Sequence, residues 1–340
     1  MIELIERLSL LKGVSGDETA VAEYIKKEID GYCEYRSDHV GNLLVFKQGA
    51  KRPLKKVMLA AHMDEVGFII THIDENGLLK FTTVGGIDSR VIIGKAVLVG
   101  NQGIYGVIGA RPVHLIEAAE KDKVIETDDL YIDIGAKDKA EAQQYVNVGD
   151  RAVYDSDFVR FGDGMIKARA LDDRAGCAIL IDMIQNELEY DTWFAFTVQE
   201  EIGTVGAKTA AFSIAPDCAI VVESTTAGDV GGVPDAKKVC SVGKGPVVGF
   251  MDRGTIYDRE LYQLAMDIGK RNSIPVQTKE GVYGGNDSRS IQCSRGGVRC
   301  IAVSMPCRYL HSPSCVLKID DIENTRALVA RMCEEMSALD

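Results

Sequence analysis

Apolar residues at the start of the chain recur at helical spacing, with Ile2, Ile5, Leu8 and Leu11 on one face, which predicts an amphipathic helix over 1–12. Ser15-Gly16-Asp17-Glu18 supplies the small polar residues and acids of a second helix start, and Val21, Ile25 and Ile29 continue one face. Asn42 to Phe46 reads as a strand. Lys56-Val-Met-Leu-Ala-Ala61 is apolar without alternation, the mark of a strand buried on both faces, and it delivers His62. From about Gly67 to Gly162 the texture changes. Short Val/Ile/Thr-rich runs (Phe68 to Ile73, Leu79 to Val84, Lys95 to Val99, Tyr105 to Gly109, Asp150 to Tyr154) are separated by Gly, Asn and Asp turns, predicting a compact β-barrel or sandwich with one helical patch at 138–145. After Gly164 helices and strands alternate again. Helices are expected at 174–187, 207–212, 257–271 and 320–338, with strands at 192–198, 219–222 and 298–303.

The simplest architecture is a mixed-sheet α/β domain made from residues 1–66 and 163–340, interrupted by a β-rich insert over 67–162. At roughly 150 residues per domain, 340 residues suit this two-part division. Composition adds exclusions. The net charge of −12 and the lack of a dense Lys/Arg run argue against nucleic acid as a partner. No apolar stretch approaches the ~18 residues that span a bilayer, and Met1-Ile-Glu-Leu-Ile-Glu-Arg7 alternates charge where a signal peptide runs apolar. A soluble, cytoplasmic protein is expected, without a membrane partner. The nine cysteines contain no C-x-x-C pair, so buried free thiols are expected, including Cys293, Cys300 and Cys307.

The chemistry gathers at predicted strand ends. His62-Met-Asp64 follows one strand, Gln199-Glu200-Glu201 the next, Glu223 a third, and Arg308-Tyr-Leu-His311 follows the strand at 298–303. Such carboxyl ends border the ligand crevice of open α/β sheets. Asp172-Asp173 adds paired acids at a helix entrance, a position that also suits simple capping. His62, Asp172, Glu201, Glu223 and His311 offer oxygen and nitrogen ligands without thiolate, a set for Zn²⁺, Co²⁺ or Mn²⁺. Five ligands exceed one catalytic Zn²⁺ and suit two ions bridged by a carboxylate and a water. Asp64 is expected to accept from the second nitrogen of His62 and fix its tautomer. Glu200, beside a ligating neighbour, is the expected general base. Asp173 is assigned to local packing, and His39, His72 and His114 to ordinary structural or surface roles.

Four motifs, His62-Met-Asp-Glu-Val-Gly67, Ala170-Leu-Asp-Asp-Arg174, Thr197-Val-Gln-Glu-Glu-Ile-Gly203 and Arg308-Tyr-Leu-His-Ser-Pro313, resemble in this order the M42 metallopeptidases, the tetrahedral cytosolic aminopeptidases. Asp129-Leu-Tyr-Ile-Asp-Ile-Gly-Ala136 and Tyr283-Gly-Gly-Asn-Asp287 extend the resemblance over essentially the whole chain. The resemblance implies a zinc-peptidase catalytic domain with an inserted barrel-like (PDZ-like) domain for dimer contacts, and assembly into a hollow dodecamer. It makes Asp172 the bridging ligand, His62 and Glu223 ligands of one ion, Glu201 and His311 of the other, and Glu200 the base, with Asp64 in support. Two divalent ions per subunit, Zn²⁺ or Co²⁺ and possible with Mn²⁺, are thus expected. The family commonly has Asp where this chain has Glu223. An insert lying between His62 and Asp172, rather than late, favours M42 over the related M20 enzymes.

The expected reaction is removal of single residues from the N-termini of short peptides, with a metal-bridging water as nucleophile. Arg253 is a candidate cation for acidic first residues, as in glutamyl-preferring relatives, and Asn286 and Asp287 are candidates to border the substrate groove. The alternatives are deacylation of small amides on the same centre, an endoglucanase, and a catalytically inert peptide-binding shell. Aromatics are only 6% of the chain, with one Trp, whereas a sugar cleft ordinarily needs aromatic walls and two metal-free carboxylates.

Overall fold

The computed structural model describes residues 1–115 and 123–339. An eight-stranded mixed sheet forms the centre of the larger part. It is built from β1 (Glu34–Ser37), β2 (Leu43–Lys47) and β3 (Val57–His62), and, after a barrel, from later strands numbered below. The barrel intervenes as β4 (Gly67–Ile73), β5 (Leu79–Val84), β6 (Ala96–Val99), β7 (Ile104–Gly109), β8 (Tyr131–Asp133) and β9 (Arg151–Tyr154), closed in the order β4-β5-β8-β7-β6-β9. Closure leaves no free sheet edge. Its interior is apolar, with Phe68 edge-to-face against Phe81 and Tyr154 at 5.2 and 5.3 Å.

The barrel ends at Tyr154. Next, β10 (Val159–Phe161) pairs with β11 (Met165–Ala168), which pairs with the later β17 (Cys315–Lys318) in a separate three-stranded sheet. The chain then adds β12 (Thr192–Thr197), β13 (Cys218–Thr226), β14 (Val247–Val248), β15 (Gln277–Thr278) and β16 (Arg299–Cys307), and the main sheet runs β1-β2-β12-β3-β13-β16-β14-β15. Its middle strands β12, β3, β13 and β16 are parallel. Every residue of β3 is buried, as expected of a strand covered on both faces.

Eight α-helices occur among the described residues: α1 (Ile2–Leu10), α2 (Thr19–Ile29), α3 (Lys139–Ala142), α4 (Leu171–Gln185), α5 (Val205–Ile214), α6 (Arg259–Asn272), α7 (Ser288–Ile291) and α8 (Ile319–Ser337). α4 and α8 cover β3, β13 and β16, while α5 lies on β12 and α7 on β13 and β16. No helix among the described residues is long and apolar enough to cross a membrane.

The entrance to α4 has a specific local cause. Asp172 and Asp173 are not helical, and the Asp173 carboxylate accepts from the Gly176 amide at 3.0 Å, capping the turn that follows. A Cβ on Gly176 would lie 2.4 Å from that carboxylate, so the cap requires glycine. The thiols depart from the expected burial at two positions, Cys33, which is half-buried after α2, and Cys293. Cys300 and Cys307 are buried, but Cys293 is exposed because it lies in the surface turn after α7.

Two buried arginines join the start of the chain to the rest. Arg174, fully buried, donates to the carbonyls of Leu8 (2.6 Å), Leu11 (3.2 Å) and Met63 (2.8 Å). Arg169 donates to Leu10 and Leu11 at 3.1 and 2.9 Å. Together they satisfy carbonyls at the C-terminal end of α1, where cations also suit the helix dipole. Glu65 balances both, 2.9 Å from Arg169 and 3.4 Å from Arg174. Arg174→Ala leaves Glu65 and these carbonyls short of donors in the interior, and should lower unfolding free energy by about 3–5 kcal/mol. Urea denaturation of the metal-free protein measures this.

Candidate metal centre

The parallel strands β3, β12 and β13 all end at one edge of the sheet, and the loop after β16 returns to the same edge. His62 is the last residue of β3, opposite Thr197 of β12. Glu200 and Glu201 follow β12, Glu223 lies in β13, Asp172 enters α4, and His311 sits on the loop between β16 and β17. The structure brings these six side chains together around one cavity of about 330 Å³.

The ring nitrogens divide their work. His62 Nδ1 lies 3.1 Å from the Asp64 backbone carbonyl, and His311 Nδ1 lies 2.7 Å from the carbonyl of Gly86 in the barrel segment. Both rings can therefore carry the proton on Nδ1 and turn Nε2 to the carboxylates. His62 Nε2 is 3.4 Å from both Asp172 Oδ1 and Glu223 Oε1. His311 Nε2 is 3.3 Å from Asp172 Oδ2 and 3.2 Å from Glu201 Oε1. Asp172 thus stands between a His62–Glu223 pair and a His311–Glu201 pair, one oxygen toward each.

Asp64 does more than the sequence suggests, and does it differently. The close partner of His62 is its main-chain carbonyl, with the carboxylate Oδ1 at 3.4 Å. That fully buried carboxylate instead accepts from Ser15 Oγ (2.6 Å), Glu200 N (3.0 Å) and Glu201 N (3.1 Å). Burial opposes its ionisation, but His62, Ser15 and the Glu200 amide hold its pKa below the usual value.

The electrostatics describe a crowded acid site. Burial opposes protonation of His62, yet Glu223, Asp172 and Asp64 raise its pKa well above the ordinary value. His311 is likewise pushed up to about 12, against burial, by Asp172 and Glu201. Asp172 stays below the carboxylate range, despite burial, because both imidazoles face it. Burial raises the carboxyls of Glu200, Glu201 and Glu223, and each is pushed further by neighbouring acids. Asp172 Oδ1 and Glu201 Oε1 are buried without any hydrogen-bond donor. Converging carboxylates with orphaned oxygens and imidazole lone pairs are a donor set that divalent cations fit. Ligand atoms of His62, Asp172 and Glu201, and of His62, Asp173 and Glu223, lie within 4.8 Å of one another.

Three expectations for the cavity wall resolve differently. Asn286 lines it; Asp287 is buried outside the lining, accepting from Thr197 Oγ1 at 2.5 Å; and Arg253 does not line it. Lys279, Arg289 and Tyr283 do line it, and no local motif points to the first two. Asp173, assigned to packing, does cap α4, yet its Oδ2 is a buried oxygen without a donor beside His62 and Glu223. A larger hollow of about 610 Å³, with Asp38, His39, Val40, Phe212 and Arg295 in its wall, lies elsewhere, and among the described residues the His, Asp and Glu groups close enough to hold a cation are at the centre rather than there.

A family model described as M42 glutamyl aminopeptidase matches residues 41–328. A lysyl aminopeptidase from Pyrococcus furiosus is 31% identical over 350 residues, covering 99% of this chain and 98% of its own. The structure of aminopeptidase APDkam598 from the archaeon Desulfurococcus kamchatkensis superposes with a TM-score of 0.93 at 33% identity, over 98% of this chain and 94% of that one. The Pyrococcus horikoshii TET1 peptidase, described as able to assemble into a tetrahedron or a large octahedral shell, matches with a TM-score of 0.84 at 36% identity over 99% of each chain.

Asp64→Asn replaces one acceptor oxygen by a donor that faces other donors. It should weaken metal affinity about 10- to 100-fold, the usual effect of losing a partner behind the ligands, measured by competition with a chelating dye. Glu18 offers a pH test of the same region. Its Oε1 accepts from the amides of Gly16 (2.7 Å) and Gln199 (3.1 Å), and burial raises its carboxyl from 4.5 to about 7. A folded pKa above the unfolded one means that stability falls as pH rises from about 4.5 to 7, and stays reduced above that. Glu18→Gln keeps the accepting oxygen and removes the buried charge. It should be more stable than wild type at pH 8, by on the order of 2 kcal/mol, with the gap closing toward pH 5 in urea titrations.

Proposed function

The chain belongs to the M42 glutamyl aminopeptidase family and is a hydrolase of peptide bonds; from that premise we propose that it removes single N-terminal residues from short peptides at a two-cation centre. The ligands are His62, Asp172, Glu201, Glu223 and His311, with Asp172 shared. The observation that carries this reading is the position of Asp172 between the His62–Glu223 and His311–Glu201 pairs, at 3.2–3.4 Å, with orphaned buried oxygens.

Two divalent cations bound there, Zn²⁺ or Co²⁺ and also Mn²⁺, would polarise the scissile carbonyl, lower the pKa of water and hold the free amine. Glu200 lines the same cavity, and its carboxylate makes no hydrogen bond or ion pair with any other described residue. Its raised pKa suits a group that takes a proton from the attacking water and returns it to the leaving amine. Asp64 holds the Glu200 amide, so the base starts from a fixed backbone. Gly86 keeps the His311 proton on Nδ1 and its other nitrogen toward the acids.

Self-association is carried over from the shells described for the TET1 relative. Residues 67–162 are the segment assigned to it, on the model of the family's dimers and dodecamers. Tyr105 and Val107 are exposed on β7 of the closed barrel, an apolar outer face that a second copy would cover.

Glu200→Gln should lower kcat by about 10²- to 10⁴-fold with the metal content by elemental analysis unchanged. Acetylating the peptide N-terminus should abolish cleavage. Cleavage that survives Glu200→Gln, or that proceeds equally on acetylated peptides, overturns the reading and favours a deacylase.

A further inference from the structure

The cavity wall on the β12 side carries a guanidinium to which the mechanism gives no task. Arg289, on α7, lines the cavity together with Gly203 and Thr204. Those two residues follow Glu200 in the loop after β12, and both of their amides donate to the Glu200 carbonyl at 2.9 Å. The sheet order β12-β3-β13 sets this wall across β3 from the strand that carries Glu223.

The stem of Arg289 is held while its head is free. Gly254 lies against it, and a Cβ there would come within 2.8–2.9 Å of Arg289 Cβ, Cγ and Cδ. Gln292, at the end of the same helix, donates to the Gly254 carbonyl at 2.8 Å and so ties that loop to α7. The Arg289 amide donates to the Asn286 carbonyl at 3.0 Å. The guanidinium itself makes no hydrogen bond or ion pair with any described residue. Arg289 also borders the larger hollow, where Lys208 and Arg295 add two more cations. The acid in that wall, Asp38, is already taken. Its Oδ1 accepts from the amides of Val40, Gly41 and Asn42, and its Oδ2 from Asn42 Nδ2 and Thr209 Oγ1, at 2.7–3.1 Å.

The chemistry says what passes this wall. Glu200 returns a proton to the leaving amine, so the nitrogen of the departing peptide must come to Glu200, and the chain beyond that nitrogen runs along the wall built by the Glu200 loop and Arg289. A peptide shortened from its N-terminus ends in a carboxylate, and the planar fork of a guanidinium matches a carboxylate with two parallel hydrogen bonds. Extended chain advances about 3.3–3.6 Å per residue, so a cation at a fixed point meets the terminal carboxylate at one peptide length.

We propose that Arg289 binds the C-terminal carboxylate of the substrate, so that the enzyme reads both ends of a short peptide, the free amine at the metal centre and the free carboxylate at Arg289. This rests on the aminopeptidase reading above.

The test uses the metal-loaded enzyme and follows release of the first residue by chromatography. That residue is whichever of Glu, Lys and Leu is cleaved fastest as its p-nitroanilide. It is followed by a run of alanines, from a single one up to four, and each peptide is made as the free acid and as the isosteric C-terminal amide. At one length wild type should favour the acid over the amide by about 10- to 100-fold in kcat/KM, the range for a hydrogen bond to a charged group, and the advantage should fade in longer peptides. In Arg289→Met the acid/amide ratio at that length should fall toward one. Arg289→Lys, which keeps the charge and loses the fork, should keep part of it, and Arg289→Glu should turn the preference to the amide. A wild-type ratio near one at every length, or a ratio that persists in Arg289→Met, overturns the assignment and leaves the aminopeptidase reading standing. Cleavage of none of the peptides or p-nitroanilides overturns both.

Discussion

The buried carboxylate of Asp64 is the constraint on which the centre depends. It lies just beyond β3, and with its two oxygens it gathers Ser15 and the amides of Glu200 and Glu201, at 2.6, 3.0 and 3.1 Å. One ionised group thereby ties the end of β3 to the end of β12 and to the loop before α2. The same residue's carbonyl sets the His62 ring. Ionised acceptors with several donors form strong bonds in a dry interior, so a single residue fixes an imidazole, an acid assigned to ligation and the acid assigned as base. Parallel strands supply the rest of the geometry. Because β12, β3, β13 and β16 run the same way, their chemistry emerges at one edge without any long flexible arm.

The barrel segment takes part in this centre through a main-chain carbonyl. Gly86, in the loop after β5, accepts from His311 at 2.7 Å across 225 positions of sequence. The ring on the β16–β17 loop is therefore oriented by the inserted segment. Lys12 adds a second link near the entry to the larger part, donating to the carbonyls of Gly100 and Asn101 at 2.8 and 2.6 Å. An assembly contact on the barrel would thus lie on the same body that sets one of the two imidazoles, which gives oligomerisation a physical route to the catalytic geometry.

Much of this was legible in the sequence, for reasons that also mark the limits. β3 and β12 announce themselves as apolar runs leading to His62 and Glu200-Glu201, and α4 as an apolar stretch entered through Asp172-Asp173, so both the elements and the chemistry at their ends follow from pattern. β1 was invisible because all four of its residues are exposed and it exists by pairing with β2. β14 and β15 are two-residue strands held at the sheet edge by their neighbours, without an alternation of their own. The missed site residues share one property. Ser15, Glu18, Gly86 and Lys279 reach the cavity or its supports across long sequence separations, Gly86 through its backbone carbonyl, and neither type nor spacing advertises such contacts. Arg253 illustrates the converse: a conspicuous cation in sequence whose side chain the fold keeps off the cavity wall.

The charges at the centre also explain where the fold has to be rigid. Asp172, Asp173, Glu200, Glu201 and Glu223 converge in a region where burial raises most of their pKa values, so without positive charge the site works against folding. Two imidazoles are a poor match for that many acids. Divalent charge bound by the native arrangement would reverse the balance, and by linkage whatever binds only the folded form stabilises it. Such a site keeps its shape in the metal-free protein only if its supports are satisfied independently of the ligands. The Arg169–Glu65–Arg174 network and the Asp64 cluster meet that requirement, because their carboxylates are matched by guanidinium groups, hydroxyl and amides rather than by the ligand residues alone. The cost of the centre is thus borne by elements that hold their geometry before any cation arrives, and a preorganised site is what lets binding energy act on the substrate instead of on the fold.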